Sequence, residues 1–279
     1  MGFFVLFICM VGYIFGEAQG GYGGNFLFFA LIFSLLTSFG SYFYGDKLIL
    51  SLSGARPADK KKDFNFYTVC ENLSIASGLP MPKLYVIESN AMNAFATGRD
   101  PKHATICATS GLLERLDRSD IEGVIAHELS HVKNYDIRLM LIVSVMVGSI
   151  AVLADFFMRS LWWGRGRDRD RSNGLFVAFA IIAAILAPLA ATLIQLAISR
   201  RREYLADASG VMLTRNPEGL ADALEKIAGD RYQLENANHG TAHLFISDPF
   251  KGKDVKGFIS NLFQTHPPIE ERIKILRSM

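Results

Sequence analysis

Between Met1 and Gly45 the only charged side chain is Glu17, and from Gly174 to Ile198 the chain runs for 25 residues without a charge. A helix of about 20 apolar residues matches the roughly 30 Å hydrocarbon layer of a bilayer, whereas the core of a soluble domain seldom needs segments so long and so free of charge. The sequence therefore predicts four apolar helices, Gly2–Gly16, Phe26–Gly45, Leu139–Met158 and Gly174–Ile198. Gly20-Gly21-Tyr22-Gly23-Gly24 reads as the turn between the first two. Asp155 falls near the end of the third, and Pro188 predicts a kink in the fourth that neighbouring helices can accommodate. Hydrophobic residues make up 50% of the 279, the upper range for a soluble domain. No Lys or Arg precedes the first segment, so it reads as a retained helix and not as a cleaved signal peptide.

Basic residues orient these segments. Lys47, Arg56, Lys60, Lys61 and Lys62 follow the second one and place the chain from Asp46 onward in the cytoplasm. The loop between the third and fourth opposes this tendency, since Arg159, Arg165, Arg167, Arg169 and Arg171 outnumber Asp168 and Asp170. Either the earlier basic cluster dominates and the hairpin spans fully, which is the expectation, or the hairpin enters the bilayer only partly. Full spanning gives four parts: residues 1–45 as two N-terminal transmembrane helices, 46–137 as a first cytoplasmic part, 138–198 as a transmembrane hairpin, and 199–279 as a second cytoplasmic part. The fold class expected is mainly α, with about four membrane helices and a cytoplasmic α+β domain containing a small sheet.

Chemistry enters at His127-Glu128-Leu129-Ser130-His131. Residues i and i+4 lie on one face of a helix, so both imidazoles can hold one metal ion while Glu128 stays within reach of a water that the ion activates. Ile121, Val124, Ile125 and Leu129 follow helical spacing, with Asp120 as the expected cap. A catalytic zinc normally takes three protein ligands. The third is sought in Arg200-Arg201-Arg202-Glu203-Tyr204-Leu205-Ala206-Asp207, where Glu203 and Asp207 are again i, i+4. Glu203 is read as the ligand and Asp207 as the residue that orients a ligating imidazole. The arginines before Glu203 are read as anchors at the membrane boundary.

The stretch before the motif reads as a small α/β unit: a helix over Phe64–Ser77, strands at Lys83–Ile87, Ala94–Thr97 and Ala104–Thr109, and a hairpin turn at Gly98–Lys102. A last helix is expected over Ile269–Leu276, after Pro267-Pro268. His239 and His243 are spaced for a metal, but Asn238 and Gly240 argue for a loop and no site is expected there; His103 is expected to be solvated. Three scattered cysteines, Cys9, Cys70 and Cys107, fit apolar packing in a reducing compartment. A net charge of +2 gives no nucleic-acid footprint.

The motif residues, with Glu203-Tyr204-Leu205-Ala206-Asp207, Ser110 to Leu116, Asn93-Ala94-Phe95-Ala96-Thr97-Gly98 and Thr265-His266-Pro267-Pro268 leading to Arg272-Ile273, resemble the HtpX group of membrane zinc metalloproteases. These are gluzincin-type relatives of the CAAX prenyl proteases. The resemblance implies a zincin-like catalytic domain with one Zn2+ per chain on His127, His131 and Glu203, and Glu128 as the catalytic acid and base. It further implies that Asn93, Ala94, Phe95, Ala96 and Thr97 align the substrate peptide as a strand edge and that Asn93 and His266 donate hydrogen bonds to the oxyanion. The function expected is endopeptidase cleavage of membrane or misfolded polypeptides in the cell's inner membrane, as part of stress response and quality control, with the site facing the cytoplasm. Polypeptides and the lipid bilayer are the partners expected; an inactive zinc-binding membrane scaffold is the alternative.

Overall fold

The computed structural model describes residues 2–18, 20–163, 200–235, 241–247, 249 and 267–279. The chain divides into two units, Met1–Tyr44 with Ile142–Leu193, and Gly45–Leu141 with Ile194–Met279.

The first unit begins with helices α1 (Gly2–Ala18) and α2 (Gly23–Leu52), joined at the expected glycine turn. Helix α2 runs seven residues beyond the apolar segment, through Asp46 and Lys47, because Leu48, Ile49 and Leu50 resume good helix-forming chemistry. Among the described residues it is the one helix long and apolar enough to cross a membrane. Its large side chains face outward, Phe29 and Leu36 both at 68% exposure, which suits an apolar solvent better than water. The expected third segment lies within α6 (Asp136–Trp163). The fourth, Gly174–Ile198, lies outside the described residues, as does most of the arginine-rich loop before it.

The second unit is built around a four-stranded mixed sheet in the order β1-β2-β4-β3, from β1 (Ala55–Pro57), β2 (Lys83–Ile87), β3 (Ala94–Gly98) and β4 (Ala104–Thr109). β2 and β4 run parallel, and β3 lies antiparallel to β4 on the open edge. The period-2 alternation of the strands sends Leu84, Val86, Ala94, Ala96, Ile106 and Ala108 into one core and Ile87, Phe95 and Cys107 into another on the opposite face. Helix α3 (Phe64–Ser77) covers the first core with Phe66, Val69, Cys70 and Leu73, one stripe at helical spacing, and ends at Gly78, whose φ of 70° suits a glycine C-cap. β1 was not expected. It is three residues long and contains Pro57, so it carries no alternation to read.

Helix α4 (Ser110–Arg115) leads into α5 (Arg118–Lys133), the helix that carries the histidine motif. Its cap is Asp117 and not Asp120. Asp117 accepts from the Asp120 N–H at 3.0 Å, and Asp120 accepts in return from the Asp117 N–H at 3.2 Å, a capping box. Asp120 is thereby buried, and it also pairs with Lys226. Ile121, Val124, Ile125, Leu129 and Val132 bury the core face of α5, each contributing roughly 2 kcal/mol. On its other sides α5 packs against α7 (Arg200–Thr214) and α8 (Pro217–Gly229), and α9 (Ile269–Leu276) closes over α7 and α8. Two glycines allow this closeness. A Cβ on Gly123 would lie 2.6 Å from the Leu220 nitrogen of α8, and one on Gly210 would lie 3.1 Å from the His127 nitrogen of α5.

Candidate metal centre

The α5–α7 contact at Gly210 brings Glu203, about two turns earlier on α7, over the histidine face of α5. The two Nε2 atoms of His127 and His131 are 3.2 Å apart. Glu203 Oε2 is 3.8 Å from His127 Nε2, and its Oε1 is 3.7 Å from His131 Nε2. All three side chains are buried. Ligands at about 2.0–2.1 Å in tetrahedral array are separated by roughly 3.3 Å, so these donors span the room for one ion.

The hydrogen bonds behind the imidazoles suit the pair to holding a cation. Asp207 Oδ1 is 2.9 Å from His127 Nδ1, and Asp136 Oδ2 is 3.0 Å from His131 Nδ1. A carboxylate can only accept, so each Nδ1 carries a proton, and in the neutral ring each Nε2 then presents a lone pair. Two lone pairs and a carboxylate then converge in a space closed to solvent, an arrangement that a cation reconciles. Two imidazoles and one carboxylate are a zinc-type donor set; calcium and magnesium prefer oxygen alone.

Arg272 of α9 completes the centre. It is fully buried, and its Nε and Nη2 donate to Asp207 Oδ2 and Oδ1 at 2.9 and 2.7 Å. Among the described residues its Nη1 has no hydrogen-bond partner, and it lies 3.8 Å from Glu203 Oε2. Burial alone would raise the Asp207 carboxyl, but the Arg272 charge and the His127 contact outweigh it and hold the group at about 2. Burial likewise pulls His131 down, and the Asp136 hydrogen bond together with the charges of Glu203 and Glu128 lifts it above the usual imidazole range. Glu128 is buried beside His127, near enough for its charge to act on both His131 and Arg272.

The structure thus brings together His127, Glu128, His131, Glu203 and Asp207. It adds three residues to which the sequence reading gave no role in the site: Arg272, Asp136 and Arg202, whose Nε is 3.8 Å from Asp136 Oδ1. Arg272 was legible in principle as the one charge on the buried stripe Ile269, Arg272, Ile273, Leu276 of α9. Arg202, expected as a boundary anchor, turns inward to Asp136.

Ala94–Gly98 is the edge strand anticipated, and it packs against α5. Asn93 O accepts from Thr109 N, so by the antiparallel alternation Ala94 and Ala96 present their backbone groups to the open side. Ile246 N–H already bonds Ala94 O at 3.0 Å. The Asn93 carboxamide donates to Ser247 O at 2.9 Å and accepts from Ala94 N–H and Ser247 N–H at 3.1 and 3.3 Å. Phe245 stacks edge-on against Phe95 at 5.1 Å. Residues 245–247 therefore cover the start of this edge, and Ala96 and Gly98 are the outward positions beyond it. His266 lies outside the described residues, as does His239. His103 is half exposed and hydrogen-bonds Asp100. Burial pushes the Cys70 and Cys107 thiols far up, which leaves them chemically inert.

Residues 60–279 match the family model described as peptidase family M48. The chain belongs to peptidase family M48. Among curated relatives, it is 45% identical over 281 residues to a protease HtpX homolog of Caldanaerobacter subterraneus, covering 99% of this chain and 92% of the relative. It is 46% identical to the homolog of Tropheryma whipplei, covering 97% and 94%, and 44% identical to that of Pyrococcus furiosus, covering 100% and 93%. The resemblance read from the motifs holds over nearly the whole chain. In fold, this M48 member is similar to the crystal structure of S. mikatae Ste24p, with a TM-score of 0.51 at 20% identity. That likeness covers 99% of this chain but 63% of the larger one.

Proposed function

We propose that this chain is a membrane-embedded zinc endopeptidase in which one Zn2+ is held by His127, His131 and Glu203. The observation that carries the reading is the convergence of those three buried donors, with each imidazole tied from behind by its own carboxylate. Bound there, zinc would supply a Lewis acid for the scissile carbonyl and for the attacking water. Glu128 takes the proton from that water and returns it to the leaving amine. Asp207 and Arg272 hold His127 in the tautomer that presents Nε2. Asn93, with His266, aids the oxyanion, and the edge from Asn93 to Thr97 aligns the peptide by backbone hydrogen bonds.

Four spans, Gly2–Gly16, Phe26–Gly45, Leu139–Met158 and Gly174–Ile198, would hold the enzyme in the inner membrane, with parts 46–137 and 199–279 together in the cytoplasm. Helix α6 begins at Asp136, five residues after His131, and runs without a break into the third apolar segment, which supports a site close along the chain to the bilayer. Membrane-inserted or misfolded polypeptides are the substrates this placement favours. An inactive scaffold is not favoured, because the residue needed for proton transfer, Glu128, is in place and buried beside the donors.

Glu128→Gln tests the reading. The variant in detergent should keep about one zinc per chain and lose peptidase activity by about 100-fold or more. Wild-type activity in that variant would remove Glu128 from the mechanism.

A further inference from the structure

His127 and His131 are supported in parallel ways. Behind His127 stands Asp207, and behind Asp207 stands Arg272. Behind His131 stands Asp136, its Oδ2 at 3.0 Å from Nδ1, and 3.8 Å from its Oδ1 stands the Arg202 Nε. Asp136 is 8% exposed, so water competes little for its carboxylate. The chain reaches this geometry through a strained link. Asn134 closes α5, and Tyr135 takes a φ of 60°, in the left-handed region that a residue with a Cβ rarely occupies. That single residue turns the chain so that Asp136, the first residue of α6, comes back onto the helix it has just left. The Arg138 guanidinium over the Tyr135 ring, 4.9 Å from its centroid, helps to hold the turn.

We infer that Asp136 is a positioning residue for the metal centre: it fixes the tautomer and ring orientation of His131, and Arg202 steadies it from α7. The carboxylate accepts the Nδ1 proton, so the Nε2 lone pair points at the ion, and the imidazole becomes a stronger donor. Because Arg202 directly precedes Glu203, this contact also ties the helix of the third ligand to the start of α6, directly after the helix that carries the other two. The inference rests on the zinc reading above.

The test measures zinc affinity of the full-length protein in detergent by competition with a chelator, together with the melting temperature of the metal-free protein. Asp136→Ser keeps a residue that starts a helix well but is too short to reach His131. It is expected to melt near wild type when metal-free and to bind zinc about 10- to 100-fold more weakly. Asp136→Asn keeps both the reach and an acceptor oxygen, and is expected to recover most of that loss. Wild-type affinity in the serine variant, or no recovery in the asparagine variant, would overturn the inference. If the serine variant does not fold, Arg202→Met decides: a few-fold weaker zinc binding supports the role, and unchanged affinity removes it. Failure of the wild-type protein itself to take up zinc would instead defeat the reading of the metal centre.

Discussion

Arg272 and Asp207 lie 65 positions apart in sequence and form a doubly hydrogen-bonded ion pair with no access to solvent, at 2.7 and 2.9 Å. A buried pair of this kind contributes modestly as a pair, but removing one partner strands the other charge. Arg272→Met is therefore expected to destabilise the protein by about 3–5 kcal/mol, measured by denaturant unfolding of the metal-free form. Arg272→Lys should also fall short of wild type, because an ammonium cannot donate in the parallel geometry that a guanidinium offers.

The same pair sets an acid limit. The Asp207 carboxyl sits at about 2 when folded, against an ordinary value of 3.8. A depressed carboxylate contributes stability in full above its unfolded value, and that contribution disappears as the pH falls through the folded one. The loss is expected between about pH 4 and pH 2. Asp207→Asn should flatten the stability profile in that window while lowering stability at neutral pH; unfolding followed across pH checks both.

What the sequence could tell depended on whether a residue's partner was local. The motif on α5 and the i, i+4 pair on α7 could be read from spacing alone, as could the strands Lys83–Ile87 and Ala104–Thr109 and the helices Phe64–Ser77 and Ile269–Leu276, whose bounds the structure reproduces. Asp136 was invisible for a physical reason. Nothing in Asn134-Tyr135-Asp136 announces that a non-glycine residue will adopt positive φ, and without that reversal Asp136 has no path to His131. The Arg202 contact with Asp136 was not legible, because spacing cannot show which of three consecutive arginines pairs with a residue 66 positions earlier. The capping residue of α5 was misplaced by three because a capping box has an acceptor at both ends.

Glycines at the α5 contacts give a graded prediction. A Cβ at position 123 would meet the backbone of α8 at 2.6 Å, which no side-chain movement relieves. Gly123→Ala gains about 1 kcal/mol in helix propensity but forces two helices apart, at a cost of roughly 1–3 kcal/mol. The clash should win, lowering the melting temperature. At position 210 the contact is 3.1 Å, against His127 itself. Gly210→Ala is expected to fold with a smaller loss, but to bind zinc more weakly because the shift falls on a ligand-bearing turn. Comparing melting temperature with chelator competition for the two variants separates these effects.

Asn93 joins the start of the edge strand to the segment that covers it. Its carboxamide engages both the N–H and the C=O of Ser247, a buried residue. Asn93→Ala is expected to lower stability by about 1–3 kcal/mol, the usual cost of leaving buried polar groups without partners. If the edge also aligns substrate, loosening it should raise KM for an extended peptide, and loss of an oxyanion donor should lower kcat as well. Asn93→Asp separates the two contributions of the carboxamide. It keeps the acceptor for Ser247 N–H and Ala94 N–H but sets a carboxylate oxygen against Ser247 O, so it should destabilise at least as much as alanine at neutral pH and recover on acidification, when a protonated carboxyl can donate again. Unfolding at two pH values, together with kcat and KM on one peptide, checks each part; stability that does not change in either variant would mean that the Ser247 contact holds nothing in place.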